Sequence, residues 1–210
     1  MGYRAESLEK YLADAASGRP TPGGGSASAL AGAAGAAMAC MAANFTVGKK
    51  KFKDVEERVR ELLGVCDAAR ETLLCCVDED VAAYAHVSGA YSMPKSTPEE
   101  KAARRQAIQD ALKVAMDTPL KVFRTCAEVL RVLDELADLA NPNLVSDVGV
   151  AAALVLGALE GAQLNVEINL AYLKDEALVT STRAALEQTG PAARDAARKT
   201  LDKVYGAIRE

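Results

Sequence analysis

The residue with the clearest chemical potential is an aspartate on an otherwise apolar helix face. Asp80 lies inside a long helical pattern, and Tyr84, Val87 and Tyr91 follow it at spacings of four, three and four. That spacing places the four side chains on one face. A carboxylate on such a face loses water and becomes a usable base. An exposed acidic patch, formed with the two preceding acidic residues, explains the same pattern without a function.

A second aspartate, Asp147, follows Ser146 at the predicted start of another helix. It either caps that helix, by accepting hydrogen bonds from the first N–H groups, or acts in a site. Amide side chains also occur on or beside the apolar helices, and buried amides need hydrogen-bond partners. These amides are therefore either satisfied structural groups or ligand contacts: Asn44, Asn141, Asn165 and Asn169.

Residues 20–28 read Pro-Thr-Pro-Gly-Gly-Gly-Ser-Ala-Ser and open a helix. They form neither a P-loop, because no Gly-Lys-Ser/Thr follows, nor a dinucleotide fingerprint, because the glycines are contiguous and no strand precedes them. The free N–H groups of such a helix start can bind a carboxylate or a polar ring edge, although a closely packed helix start explains them equally. Lysines 49–51 follow the other end of that helix, where they either cap it in solvent or bind an anion.

The elements that position these residues are all helical, since apolar residues recur at spacings of three and four. We predict an all-α bundle of about seven or eight helices in a single domain over residues 1–210, with long, Ala/Gly-rich central helices. Pro119 is predicted either to start a new helix or to kink one, and a break is predicted at Gly190-Pro191. The central helices, about 26–45 and 147–170, carry rows of small residues, which allow close pairing within the chain or across a dimer.

The bulk composition excludes several classes of protein. A net charge of −4, 4% aromatic residues and no Trp give no basis for nucleic-acid binding. Five cysteines without C-x-x-C spacing and a single histidine, His86, predict no metal site and no disulfides, but reduced thiols in a cytoplasmic protein. The 29 uncharged residues between Arg19 and Lys49 are rich in Ala and Gly, so we predict a buried helix there and no membrane contact.

Five stretches, in this order, resemble the cyclodeaminase/cyclohydrolase family of folate enzymes, and above all its stand-alone cyclohydrolases. They are residues 20–28, 41–52, 93–101, 141–151 and 164–170. The resemblance extends to about residue 175. It implies an all-helical homodimer that binds a tetrahydrofolate derivative in a groove and needs no cofactor.

The resemblance also implies the site residues. Proton transfer is assigned to Asp147 and a pterin-binding or structural role to Asp80, with the exchanged assignment left open. Lys49 and Lys50 are expected to hold the glutamate tail or the acidic rim. The expected substrate-binding residues are Thr21, Pro22, Gly23, Gly24, Gly25, Asn44, Thr46, Lys49, Lys50, Lys95, Asn141, Ser146 and Asn165.

The activity that the resemblance implies is the reversible, metal-free hydrolysis of 5,10-methenyltetrahydrofolate to 10-formyltetrahydrofolate. The bridging amidinium carbon is already electrophilic, so water attack needs a base and expulsion of the ring nitrogen needs an acid. Two alternatives stay open: a cyclodeaminase that releases ammonia from formimino-tetrahydrofolate, and a non-catalytic folate-binding homodimer. A ferritin-like dimetal bundle is excluded, because the Glu-x-x-His pairs are absent.

Overall fold

The computed structural model describes residues 2–209, which form six α-helices and three short 3₁₀ turns without a strand. The helices are α1 (Leu8–Ala15), α2 (Gly24–Asn44), α3 (Glu56–Tyr91), α4 (Pro98–Leu139), α5 (Val145–Tyr172) and α6 (Glu176–Arg209). The prediction of an all-α fold is confirmed, and the prediction of seven or eight helices is wrong.

Two prolines account for the wrong helix count. The predicted break at Gly190-Pro191 is absent and no new helix starts at Pro119, since α4 and α6 continue through these prolines. A proline inside a helix loses a backbone hydrogen bond and crowds the preceding turn, at a cost of about 3 kcal/mol. Pro119 is buried in the core, and a Cβ on the buried Gly190 would lie 3.5 Å from the ring of Phe123. Packing along the whole of both helices therefore outweighs the local break.

The central helices α2 and α5 are antiparallel neighbours. Gly24 at the start of α2 lies beside Asn165, and Gly35 further along lies beside Ala151 and Val155. A Cβ on Gly35 would stand 2.6 Å from the Val155 Cγ2 atom, so only glycine permits this close approach. The predicted pairing of the small-residue helices is thus confirmed within the chain.

The remaining long helices cover this central pair. α3 and α4 form an antiparallel hairpin joined by residues 92–97, and α6 packs on α4 and α5. α4 begins with a capping box, in which Thr97 Oγ1 accepts a 3.2 Å hydrogen bond from Glu100 N. The core between the helices is built from large aliphatic and aromatic side chains such as Leu73, Phe123 and Leu159.

Two helical stretches are long and apolar enough to cross a membrane by length and composition alone, Gly24–Asn44 and Pro142–Tyr172. In the first, 61% of the apolar stretch is buried inside the protein, which is typical of a core helix. In the second, only 39% is buried. The second stretch therefore leaves a large apolar surface on α5 uncovered by its own chain.

Four of the five cysteines are buried in the core as free thiols, and Cys75 is half-buried. Burial raises the pKa of the Cys66 and Cys76 thiols to about 12. Thiols of that pKa are protonated at neutral pH and are poor nucleophiles. The cysteines therefore serve as small core residues.

Candidate active site

A cavity of about 370 Å³ lies over the start of α2. Its walls are the turn before α2, the second half of α3, the middle of α4 and the end of α5. Polar groups lie next to the α2 start, and tyrosine and aliphatic side chains line the rest. This volume and mixture are typical of a small-molecule site that orients a polar ring and covers an apolar body.

The α3 wall is the face that the sequence predicts. Asp80, Tyr84, Val87 and Tyr91 all line the cavity. Because these residues span 11 positions, the wall is about 16 Å long. The prediction that they share one face is confirmed, and Asp80 lies on that face at the inner end of the wall.

Asp80 caps α2 from outside that helix. Its Oδ2 accepts a 2.9 Å hydrogen bond from the backbone N–H of Ser26, in the first turn of α2. Its other oxygen lies against Gly25, where a Cβ would overlap the carboxylate. Glycine at position 25 is therefore what lets Asp80 reach the helix start, whose dipole favours a negative charge.

The pKa of Asp80 is raised above its usual value, chiefly because burial removes water from the carboxylate. The hydrogen bond from Ser26 N lowers the pKa and only partly offsets that effect. A carboxylate with a raised pKa in a cavity is suited to take up a proton and return it. Asp80 is thus equipped for acid–base chemistry.

The side chain of Ser26 is held by buried hydrogen bonds on the side away from the cavity. The Ser26 hydroxyl donates a 2.9 Å hydrogen bond to the Val77 carbonyl and lies 3.1 Å from the Tyr11 hydroxyl. Tyr11 is the one buried residue of α1. Ser26 thus joins the first turn of α2 to α3 through its backbone N–H and its hydroxyl, and to α1 through Tyr11. These contacts hold in place the N–H group that donates to Asp80.

Two amides on α5 present acceptors to the cavity. The Asn165 Nδ2 donates a 2.8 Å bond to the Gly161 carbonyl, and the Asn169 Nδ2 donates a 2.8 Å bond to the Asn165 carbonyl. Since carbonyls only accept, these bonds orient both amides with Oδ1 away from the helix backbone. Among residues 2–209 no donor bonds either Oδ1 atom, so both are available to a ligand with N–H groups.

The expected site residues fall into two groups. The cavity is lined by Thr21, Gly23, Gly24, Gly25, Asp80 and Asn165. Pro22 is buried in the same turn, and Lys95 is exposed in the loop beyond Tyr91. The second group lies at the opposite end of the 21-residue helix α2, about 30 Å away. This group contains Asn44, Thr46, Lys49, Lys50, Asn141, Ser146 and Asp147.

Part of the second group forms a structural joint. The buried Thr46 hydroxyl donates to the Ala42 carbonyl at 2.9 Å and accepts from Asn141 N at 2.8 Å. Lys49 and Lys50 are exposed, and Asp147 is half-buried in the first turn of α5. Within one chain these residues do not reach the cavity, and their expected roles stay predictions.

Several cavity residues are missed by the sequence reasoning. Leu112, Ala115 and Tyr172 line the cavity but lie in no motif, whereas Pro20 and Ile168 lie in the stretches 20–28 and 164–170 but are not among the expected site residues. Asn169 carries a signal, because it lies four residues after Asn165 and therefore on the same face of one helix.

The fold and the site together define a helical small-molecule enzyme with one carboxylate in its cavity. The chain belongs to the formiminotransferase-cyclodeaminase family, whose model matches residues 7–188. It is 43% identical to a methenyltetrahydrofolate cyclohydrolase of Methylorubrum extorquens, over 87% of this chain and 88% of that relative.

Two further relatives carry the cyclodeaminase name. The chain is 36% identical to the formimidoyltransferase-cyclodeaminase of Rattus norvegicus over 84% of its length, and spans 33% of that longer protein. The solved structure of formiminotetrahydrofolate cyclodeaminase from Thermotoga maritima superposes with a TM-score of 0.86 at 31% identity. That match covers 96% of this chain and 97% of the other.

Proposed function

We propose that this protein catalyses the reversible hydrolysis of 5,10-methenyltetrahydrofolate to 10-formyltetrahydrofolate. The observation that carries the proposal is the Asp80 carboxylate, partly buried in the cavity of a chain that is 43% identical to a cyclohydrolase. The cavity also offers N–H and carbonyl groups to a pterin and tyrosines to its aromatic substituent.

In the proposed mechanism Asp80 takes a proton from the water that attacks the bridging carbon. In the resulting tetrahedral adduct, the protonated carboxyl group gives its proton to one ring nitrogen as the bond from that nitrogen to the bridging carbon breaks, and the adduct hydroxyl releases its proton to solvent as the formyl carbonyl forms. The amidinium carbon is already electrophilic, so the proposal includes no metal ion or cofactor. Asn165 and Asn169 accept hydrogen bonds from the pterin N–H groups, and Gly24 and Gly25 donate their backbone N–H groups.

The geometry favours Asp80 over Asp147 for proton transfer within one chain. Asp147 lies 18 residues before Asn165 on α5, which is about 27 Å along the helix axis. Asp80 lines the cavity beside Asn165 and Gly25. We therefore adopt the exchanged assignment that the sequence leaves open.

The pH dependence follows from the raised pKa of Asp80. The base must be ionised, so kcat/KM should fall as the pH drops through that pKa. Because burial raises the pKa, this acidic limb should lie above the usual value for an aspartate, about 3.9. Initial rates in buffers of constant ionic strength, corrected for spontaneous hydrolysis, check the prediction. A rate that stays constant down to the usual aspartate range would contradict it.

A second candidate function is the cyclodeaminase reaction, which the solved structural neighbour and the rat relative favour by name. Closure of formimino-tetrahydrofolate passes through a tetrahedral centre at the same carbon, so the same cavity can serve it. Two assays separate the functions. A cyclohydrolase accelerates the loss of methenyl absorbance, whereas a cyclodeaminase releases ammonia from the formimino substrate.

We also propose that the protein is a homodimer. One face of α5 is apolar and exposed, with residues at helical spacing: Val150, Leu154, Gly157, Leu164 and Ile168. The adjoining face of α2 is uncharged and partly exposed, with Ala27, Ala34 and Phe45. Exposed apolar surfaces of this extent mark interaction sites. Ile168 also lines the cavity, so a second copy on this face would close one cavity wall.

Two-fold pairing through this face would bring the second group of expected residues to the cavity. The α5 face has its midpoint near residue 159, where Gly157 permits close approach. Antiparallel pairing about that point sets Asp147 opposite the partner's Ala171, next to the cavity residue Tyr172. Each site would then take Asp80 from one chain and Asp147 from the other.

A charge on the proposed interface should dissociate the dimer. Leu164 is 71% exposed in the single chain, and Leu164→Glu would bury an unpaired carboxylate on pairing. We expect the dimer dissociation constant to rise at least about 100-fold, because burying such a charge costs several kcal/mol. Sedimentation velocity measures it. Val114→Glu, at a 53% exposed position on α4 off this face, is the matched control and should remain dimeric.

A further inference from the structure

The cavity changes character along its length. At the α2 start it presents neutral acceptors and backbone N–H groups, and further out it presents Tyr84, Val87 and Tyr91. Asp80 is the only charged residue in its lining, so within residues 2–209 no cation lines it. A folate carries a polar pterin, then a benzoyl ring, then a glutamate with two carboxylates. The first two parts match the cavity, and the glutamate requires cations beyond it.

Beyond the cavity, the faces of α3 and α4 that line it continue into positively charged residues. On α4, Leu112 and Ala115 line the cavity, and their face continues towards the start of the helix through Arg105, Arg104 and Lys101. Lys101 is 11 residues before Leu112, which is about 16 Å along the helix. On α3 the wall from Asp80 to Tyr91 runs in the same direction and leads to Lys95. The hairpin of α3 and α4 therefore carries four cations beyond the outer end of the cavity.

Arg104 connects this cluster to the cavity. Its Nη2 donates a 2.9 Å hydrogen bond to the Tyr91 carbonyl, and its guanidinium lies 5.5 Å from the centre of the Tyr91 ring. Tyr91 itself lines the cavity. The guanidinium is thus held at the outer end of the cavity.

The hairpin cluster carries more positive than negative charge. Residues 92–108 contain four cations and two acids, Glu99 and Glu100. Glu100 is occupied at the helix start, where it accepts from Ser96 N at 2.7 Å. By contrast, Lys113, the cation on α4 nearest to Leu112, is paired with Asp175 at 2.8 Å. The hairpin cluster is therefore the available anion-binding group for a ligand that leaves the cavity between Tyr91 and α4.

We propose that Lys101, Arg104, Arg105 and Lys95 form a subsite for the glutamate carboxylates of the folate substrate. This inference rests on the proposed function and replaces the expectation that Lys49 and Lys50 hold the tail. The pterin lies over the α2 start, the benzoyl ring contacts Tyr84 and Val87, and the tail follows the α4 face. Carboxylates pair well with guanidinium groups, which donate two parallel hydrogen bonds.

The test compares 5,10-methenyltetrahydrofolate with its pteroate analogue, which lacks the glutamate. The wild-type chain should favour the folate about tenfold or more in kcat/KM, mainly through KM. The double variant Lys101→Gln/Arg105→Gln should reduce that preference about tenfold, because exposed ion pairs are individually weak, and should leave kcat/KM for the pteroate unchanged, because the pteroate lacks the glutamate carboxylates. Arg104→Gln should reduce it similarly. Lys199→Gln, on α6, is the charge-matched control and should keep the full preference.

Binding of p-aminobenzoylglutamate, measured by calorimetry against p-aminobenzoate, separates the two proposals. If neither folate nor pteroate is turned over while p-aminobenzoylglutamate binds through the hairpin cations, the proposed function fails and the subsite stands. If both are turned over equally by the wild type, or if the preference is lost in Lys49→Gln/Lys50→Gln and kept in the hairpin variants, the subsite is overturned.

Discussion

An Asp80→Asn variant should lose about 10²- to 10⁴-fold in kcat for hydrolysis of methenyltetrahydrofolate, the usual contribution of a positioned acid–base group. The amide keeps the shape of the side chain, and its oxygen can still accept the hydrogen bond from Ser26 N. It cannot take up a proton from the attacking water. The loss should therefore appear in kcat, with KM changed much less.

Stability measurements distinguish lost chemistry from lost structure. Because burial raises the pKa of Asp80, ionising it costs more in the folded than in the unfolded chain. The stability from a protonated Asp80 is present at low pH and is lost as the pH rises through its folded pKa. Asparagine removes that dependence, so the variant should have a Tm at pH 7 no lower than that of the wild type.

The preceding residue, Glu79, offers a matched control. Glu79→Gln removes an exposed carboxylate that pairs with Lys121 at 3.0 Å, and it should retain nearly full activity. If Asp80→Asn instead raised KM strongly and left kcat intact, Asp80 would bind the pterin and would not transfer the proton. Equal losses in both variants would point to disruption of α3.

The α3 wall of the cavity could be predicted from the sequence because it depends on one helix alone. The spacing of Asp80, Tyr84, Val87 and Tyr91 fixes their common face without knowledge of any neighbour. The role of Gly25 could not be predicted in this way. It depends on the approach of an aspartate 55 positions later in the chain, which only the packing of α2 on α3 creates.

The errors have the same origin. Pro119 and Pro191 read locally as helix breaks, yet long-range packing carries α4 and α6 through them. A motif in the sequence likewise does not show at which end of a pair of packed helices its residues lie. The motifs around Gly25 and Asp147 read as one site in sequence, but the antiparallel arrangement of α2 and α5 places them at opposite ends of the pair.

An Asp147→Asn variant should keep folate binding and lose most of its turnover if Asp147 completes the partner's site. Asp147 lies in the first turn of α5 and is half-buried, so asparagine can replace it there without a change in volume. Unchanged activity in this variant would remove Asp147 from the proposed site. A loss of activity alone would not show which chain's cavity it serves.

Mixing the two inactive variants answers that question. If each site combines Asp80 of one chain with Asp147 of the other, a mixed dimer of Asp80→Asn and Asp147→Asn chains has one doubly altered site and one intact site. Random exchange makes half of the dimers mixed, so about a quarter of wild-type activity should return from two nearly inactive preparations. If each chain contained its own complete site, no mixed dimer would have an intact one, and activity would stay at the level of the separate variants. The Leu164→Glu change, introduced into both chains, should abolish the recovery, because the recovery requires the α5 interface.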